Sequence, residues 1–286
     1  SLANYKEQPV CRDSTTDFVL IIGESFNRHM SNLYDGRWDT NPLLIERKKQ
    51  GRLFLFDDVT ATSNGTSVVF QYLLSMNSRR DKNAWYEGPM LPLIMRRCGW
   101  NVIFYGNQFV VNNQLDEYDA AMGFLNVPSV AKALFDNRNN RTFSYDLDLV
   151  ADYATHRKQL ETKYRNFVIF HLYGQHMPAK ERYPKEFAKF TPNNINRPEL
   201  NKAQCNDVAH YLNATLYNDL VVDSIIRMFE NRNAVVMYLS DHGEEVHNFR
   251  NQYGRTDINK DCRESYAPQF DIPFMVYLTP SYAKEH

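Results

Sequence analysis

Four stretches of the chain are apolar with no polar–apolar alternation: residues 18–23 (FVLIIG), 101–105 (NVIFY), 167–173 (FVIFHLY) and 234–240 (AVVMYLS). Each is short and rich in β-branched and aromatic residues. Strands that bury both faces read this way, as they do in a parallel sheet. A fifth run, 273–278 (PFMVYL), resembles them. Between the runs lie stretches with helical spacing, at 68–76, 89–98, 146–164 and 209–230. Strands that alternate with helices predict an α/β fold, an α/β/α sandwich around a mostly parallel central sheet. Residues 190–206 are polar and rich in Asn and Pro, and read as a long surface loop. No repeat or linker divides the chain, so 1–286 is expected to form one catalytic domain.

In an open α/β sheet, ligands bind beyond the carboxyl ends of the strands. Each of the four runs ends in residues with chemistry to offer. The first leads into Gly23-Glu24-Ser25, the second into Gly106-Asn107-Gln108. The third carries His171 and continues to Gly174-Gln175-His176, and the fourth ends in Ser240-Asp241-His242-Gly243-Glu244-Glu245. A parallel sheet brings all of them to one edge.

The remaining bulk properties narrow the function. Lys and Arg number 33 against 34 Asp and Glu, for a net charge of -1, and the chain has no basic stripe of the kind a nucleic-acid binder shows. No apolar run approaches the roughly 20 residues that cross a bilayer. The opening Ser1-Leu2-Ala3-Asn4 has neither Met nor a signal-peptide core, and is read as the start of an excised fragment. Of the four cysteines, Cys205 and Cys262 fall in polar, loop-like stretches and are the preferred disulfide. Cys98 ends a helical pattern and reads as a buried free thiol, and the even count leans toward an oxidising compartment.

Asp241 and His242, adjacent where a strand stops and followed by a turn-permitting Gly243, can face one cation, and both residue types suit Zn²⁺. Alone, Asp-His-Gly reads rather as a helix N-cap beside a bystander. Glu24 and His171 on the same edge shift the balance toward metal. Glu24 follows five apolar residues and a glycine, where an unpaired carboxylate is costly. Residues 59–70 (VTATSNGTSVVF) form a hydroxyl-rich turn that leads into an apolar helix. Thr66 or Ser67 would stand in its first turn, where free N–H groups favour phosphate and a metal-bound hydroxyl becomes a nucleophile. His29, His156, His210 and His286 read as ordinary surface or core residues.

Taken in order, these pieces resemble the phosphoethanolamine transferases of bacterial envelopes, which belong to the alkaline phosphatase/sulfatase superfamily. Ile21-Ile22-Gly23-Glu24-Ser25 is similar to the family's opening Gly-Glu-Ser/Thr. Leu33-Tyr34-Asp35-Gly36, with Thr40-Asn41-Pro42 after it, is similar to its Leu-Tyr-Gly-Tyr … Thr-Asn-Pro. Val59 and Thr66 keep the interval that leads to the family's nucleophilic Thr. His171 and His176 in HLYGQHMPAKERYP resemble its His-x-x-Gly-x-His-Gly-Pro, and Ser240 to Glu244 its Ser-Asp-His-Gly-Glu. Two departures stand out. Met177-Pro178 replaces Gly-Pro, and Tyr253-Gly254-Arg255 stands where many members carry another His.

The resemblance implies a fold of the alkaline phosphatase/sulfatase type. It implies one tightly bound Zn²⁺ held by Glu24, Thr66, Asp241 and His242, with a second ion left open. Thr66 is the implied nucleophile. It would take phosphoethanolamine from phosphatidylethanolamine and pass it to lipopolysaccharide or another envelope glycan, with lipid A or core sugar as acceptor. Asn107, His171, His176 and Arg255 are the implied substrate contacts; the two histidines could instead bind a second metal or protonate a leaving group. The parent protein is expected to carry N-terminal membrane helices and to place this domain in the periplasm, at the inner membrane. The alternatives are a phosphoglycerol transferase or phosphodiesterase of the same superfamily, a sulfatase-like hydrolase, and a degenerate glycan-binding relative. The Cys/Ser-x-Pro-x-Arg segment a sulfatase needs is missing around Thr66.

Overall fold

The computed structural model describes residues 9–13, 15–108, 123–249, 251–255, 258 and 262–286. The strands are β1 (Asp17–Gly23), β2 (Leu53–Phe56), β3 (Asn101–Gly106), β4 (Asn137–Arg138), β5 (Asn166–His171), β6 (Ala234–Ser240), β7 (Glu245–Val246), β8 (Tyr253–Gly254) and β9 (Phe274–Leu278). The helices are α1 (Pro42–Lys49), α2 (Thr66–Leu73), α3 (Leu91–Arg97), α4 (Gly123–Asn126), α5 (Pro128–Leu134), α6 (Asp146–Leu160), α7 (Lys202–Phe229), α8 (Arg263–Phe270) and α9 (Pro280–Glu285).

Among the described residues, seven strands form one sheet in the order β2-β9-β6-β1-β5-β3-β4. The four apolar runs are β1, β3, β5 and β6, and every pairing among them is parallel. Their unbroken hydrophobicity has a simple cause. Val19 and Ile21 pack on one face with residues of α6 and α7, while Leu20 and Ile22 pack on the other with residues of α2 and α3. Successive side chains of a strand point to opposite faces, so a strand with helices on both sides keeps its polar residues to its ends, as Asp17, Asn101, Asn166, His171 and Ser240 are here. Burying each such side chain contributes about 1.5–3 kcal/mol.

Four sequence expectations are corrected. The run at 273–278 is β9, and it pairs antiparallel with β6. After β6 the chain stays at that edge through β7, β8 and α8, where the Gly243 N–H bonds to Gln269 O at 2.8 Å. Strand β9 therefore sets out from the edge at which β6 stops. Strand β2 pairs antiparallel with β9 and closes that side of the sheet. The supposed loop at 190–206 ends early, because α7 begins at Lys202. Asn201 accepts from the Gln204 N–H at 3.1 Å and Gln204 Oε1 accepts from the Asn201 N–H at 2.7 Å, a capping box. That start places Cys205 inside the helix and buried, so it is free, as is Cys262. The disulfide joins Cys11 to Cys98 instead, with Cα atoms 5.6 Å apart, so Cys98 is not a free thiol. Among the described residues, no helix is long and apolar enough to cross a membrane.

Candidate metal centre

The carboxyl ends of β1, β3, β5 and β6 lie side by side, and Glu24, Asn107, His171 and Asp241 all stand there, each fully buried. Glu24, Asp241 and His242 offer ligand atoms that lie within 4.8 Å of one another. Thr66 joins them as the first residue of α2. Its Oγ1 donates to Glu24 Oε2 at 3.1 Å and lies 3.4 Å from His242 Nε2. His242 Nε2 is in turn 3.2 Å from Glu24 Oε1 and 3.4 Å from Asp241 Oδ2.

Three local devices hold these groups. His242 Nδ1 lies 2.7 Å from the Gly243 carbonyl oxygen, which fixes the N–H on Nδ1 and turns Nε2 toward the carboxylates. Gly243 has no room for a side chain, because a Cβ there would fall 2.1 Å from Pro268 O. Ser25 adopts φ 58°, an uncommon conformation for a residue with a Cβ. From there its hydroxyl donates to Glu24 Oε1 at 2.7 Å and its N–H to Asp241 Oδ1 at 3.1 Å.

The cluster's electrostatics call for a positive charge. Burial, reinforced by the negative Glu24, pushes Asp241 up to about 7. Burial works against charging His242, yet Asp241 and Glu24 override it and push the imidazole up to about 10. Burial also opposes ionisation of Glu24, but charged His242 beside it holds Glu24 well below the usual range. A cation among them would take over the part that the imidazole's extra proton plays.

The residues present fit a zinc ion. Asp241 Oδ2 is buried and has no hydrogen-bond partner among the described residues. Two carboxylates, an imidazole and a hydroxyl form an N/O donor set. Tetrahedral ligands at about 2.1 Å stand roughly 3.4 Å apart, and the four contacts of 3.1–3.4 Å are of that size.

The other expected site residues divide. His171 is fully buried, edge-on to Phe70 at 4.6 Å, and burial lowers its pKa to about 4 despite Glu24. Burial therefore favours the neutral imidazole, a weaker proton donor to a leaving group than a charged one. His176 is half-buried, with Nδ1 2.7 Å from the Met177 carbonyl oxygen. Arg255 is exposed, and its charge acts on Glu244. Asn107 is at the edge but its amide is committed elsewhere. It donates to Asp146 Oδ1 at 2.8 Å and accepts from the Phe143 N–H at 2.6 Å.

Two residues that face the cluster carry no assigned role in the sequence reading. Gln108 Nε2 donates to Glu24 Oε2 at 3.2 Å and to the Leu172 carbonyl at 2.8 Å. Glu244 is fully buried, and neither carboxylate oxygen has a hydrogen-bond partner among the described residues. Burial pushes it up to about 7. Both lie within strand-end segments picked out from sequence. What would have found them is the direction of each side chain after the strand stops, which spacing alone does not carry.

Comparison with known proteins bears on this geometry. A family model described as Sulfatase matches residues 16–286. The chain is 29% identical over 296 residues to phosphoethanolamine transferase EptC of Escherichia coli strain K12, an alignment that covers 100% of this chain and 48% of that protein. It is 31% identical over 273 residues to the Kdo(2)-lipid A phosphoethanolamine 7''-transferase of the same strain, covering 93% of this chain and 45% of the relative. The chain thus spans about half the length of the curated relatives it matches. Among solved structures, it resembles the zinc complex of the C-terminal periplasmic domain of EptC from Escherichia coli. That match has a TM-score of 0.79 and 26% identity, and covers 96% of this chain and 76% of that one.

Proposed function

Since the chain belongs to the sulfatase family, we propose that its 286 residues form the catalytic domain of a zinc-dependent phosphoethanolamine transferase. The observation that carries this reading is the Thr66 hydroxyl, set at the start of α2 and within 3.1–3.4 Å of Glu24 and His242. The names of the relatives and the zinc complex of one of them support it. The donor is phosphatidylethanolamine and the acceptor an envelope glycan, lipid A or lipopolysaccharide core. The domain works in the periplasm, at the inner membrane, joined to a membrane-embedded part of a longer protein.

Glu24, Thr66, Asp241 and His242 would hold one zinc ion. Bound there, zinc would make the Thr66 hydroxyl more acidic and offset charge on the phosphate. Thr66 Oγ1 attacks phosphorus, and the bond to the diacylglycerol oxygen breaks as the bond to Thr66 forms. The hydroxyl proton leaves along its hydrogen bond to Glu24 Oε2 and passes on to solvent, so that Glu24 stays ionised. The departing oxygen takes a proton from His176, since His171 stays neutral. An acceptor hydroxyl then displaces Thr66 from phosphorus; its proton passes to Thr66 Oγ1, which restores the hydroxyl, and His176 regains a proton from solvent. The N–H groups of Thr66 and Ser67 precede the hydrogen-bond ladder of α2 and would receive phosphate oxygens, whereas the Val68 N–H is already bonded to Gly65 O at 3.1 Å.

Glu244 favours ethanolamine over glycerol as the transferred head group. Glu244 has no hydrogen-bond partner among the described residues, although the charges of His242 and Arg255 act on it, and such a place is costly for a buried carboxylate; an ammonium group would relieve that cost where a glycerol hydroxyl would do so only weakly. The test is transfer by the full-length protein from vesicles of phosphatidylethanolamine or phosphatidylglycerol, with zinc content measured in the same sample. Transfer of phosphoethanolamine alone supports the reading. Preferential transfer of phosphoglycerol would assign the chain to the neighbouring activity.

A further inference from the structure

Asp146 is the first residue of α6, after the N-cap Tyr145, a place where a carboxylate ordinarily serves its own helix through the dipole. Here it does something else. Its hydrogen bonds all leave the helix: Oδ1 accepts from Asn107 Nδ2 and from the Tyr173 N–H, both at 2.8 Å, and Oδ2 accepts from the Gly174 N–H at 2.9 Å. The side chain is buried, and burial raises its pKa although all three bonds act to lower it. Arg182 lends a positive charge from a distance and stacks over the Tyr173 ring at 3.8 Å.

What Asp146 grips are the turns that follow β3 and β5. Asn107 precedes Gln108, which donates to Glu24 Oε2. Gly174 sits on the backbone of Glu24 at φ 54°, and a Cβ there would fall 2.7 Å from Glu24 O and 2.8 Å from Glu24 N. The next residue, Gln175, donates its N–H to Glu24 O at 3.0 Å. Glu24 is thus held from both turns, through its side chain by one and through its backbone by the other, and Asp146 ties those turns together.

We infer that Asp146 is a positioning residue, which locks the turns after β3 and β5 and so sets Glu24 against the Thr66 hydroxyl. The inference rests on the reading of Thr66 as nucleophile. An error of about 1 Å in such placement costs on the order of a hundredfold in rate, whereas affinity for a donor that Asp146 does not touch should stay the same.

The test is Asp146→Asn in the full-length protein. The amide nitrogen cannot accept from the Gly174 N–H, while the remaining oxygen can still accept from Asn107 and Tyr173. Amide hydrogen exchange at Gly174 and Gln175 should speed up by about tenfold or more, the scale of a lost bond to a charged group. Exchange within β1 should be unchanged, and one zinc equivalent should remain. Labelling of Thr66 from phosphatidylethanolamine vesicles should slow about a hundredfold at saturating donor, with half-saturation unchanged. Unaltered exchange at Gln175, wild-type labelling, or a defect confined to half-saturation would overturn the proposal. If this variant does not fold, Asn107→Ala removes one of the three bonds to Asp146 and should show the same pattern more weakly; a rise in half-saturation alone would again count against it. A wild-type protein that is never labelled defeats the functional reading, and the exchange data then decide the role of Asp146 by themselves.

Discussion

His242 Nε2 stands 3.4 Å from Asp241 Oδ2, a buried oxygen without a hydrogen-bond partner among the described residues. Without metal, a proton on the imidazole compensates the carboxylates. Asp241 is pushed up to about 7 and His242 to about 10, while Glu24 stays ionised. Zinc needs all three deprotonated, so raising the pH strengthens binding. About two protons should be released per ion below pH 7, and about one between pH 7 and 10. Calorimetry in buffers of different ionisation enthalpy counts them. Binding that does not depend on pH would remove these residues from the ligand set.

Asp241→Asn removes one anionic ligand and leaves the volume unchanged. Zinc affinity should fall by more than about a hundredfold, the upper end of what losing an outer-shell partner costs. Equilibrium dialysis against a zinc buffer measures it. Undiminished affinity would exclude Asp241 as a ligand.

His171 and His176 belong to β5 and the turn after it, outside the four-donor cluster. Their single Gln variants should keep one zinc equivalent. His176→Gln should slow transfer, since it removes the group proposed to protonate the departing oxygen, while His171→Gln should slow it less, because burial holds that imidazole neutral. Complete metal loss in either variant would redraw the ligand set.

Glu244→Gln keeps the shape and removes the charge. Half-saturation by phosphatidylethanolamine should rise roughly tenfold or more, since a hydrogen bond to a charged group is worth about 1.5–3 kcal/mol. Phosphatidylglycerol, where it binds, should be unaffected. Equal effects on both lipids would show that Glu244 does not read the head group.

Much of this was legible in the chain, and the reason is physical. Strands buried on both faces leave an unbroken apolar run, and a parallel sheet gathers their ends, so β1, β3, β5 and β6 and the edge with Glu24, His171 and Asp241 follow from pattern alone. Strand β2 escaped because an edge strand of four residues, LFLF, is too short to carry a period. The direction of β9 depends on a connection through β7, β8 and α8, where no periodicity speaks. Gln108, which has no role in the sequence reading, meets Glu24, and Asn107 turns to Asp146, because the chain turns after Gly106 and only that turn decides where each amide points. The Cys11–Cys98 bridge joins residues 87 apart in sequence, a proximity that only the folded chain creates.

The central claim is that Thr66 carries the transferred group. Its hydroxyl meets both Glu24 and His242, whereas Ser67, next along α2, projects about 100° away around the helix. Thr66→Ser should retain some activity, as the oxygen survives but loses the χ1 restriction of a β-branched side chain. Thr66→Ala should abolish transfer and leave the fold intact. The most direct measurement is peptide mass spectrometry of the full-length protein after incubation with phosphatidylethanolamine vesicles. The peptide that contains Thr66 should gain the mass of phosphoethanolamine, with fragment ions placing it on Thr66, and Thr66→Ala should show no gain. A label on Ser63 or Ser67, or wild-type transfer by Thr66→Ala, would contradict it.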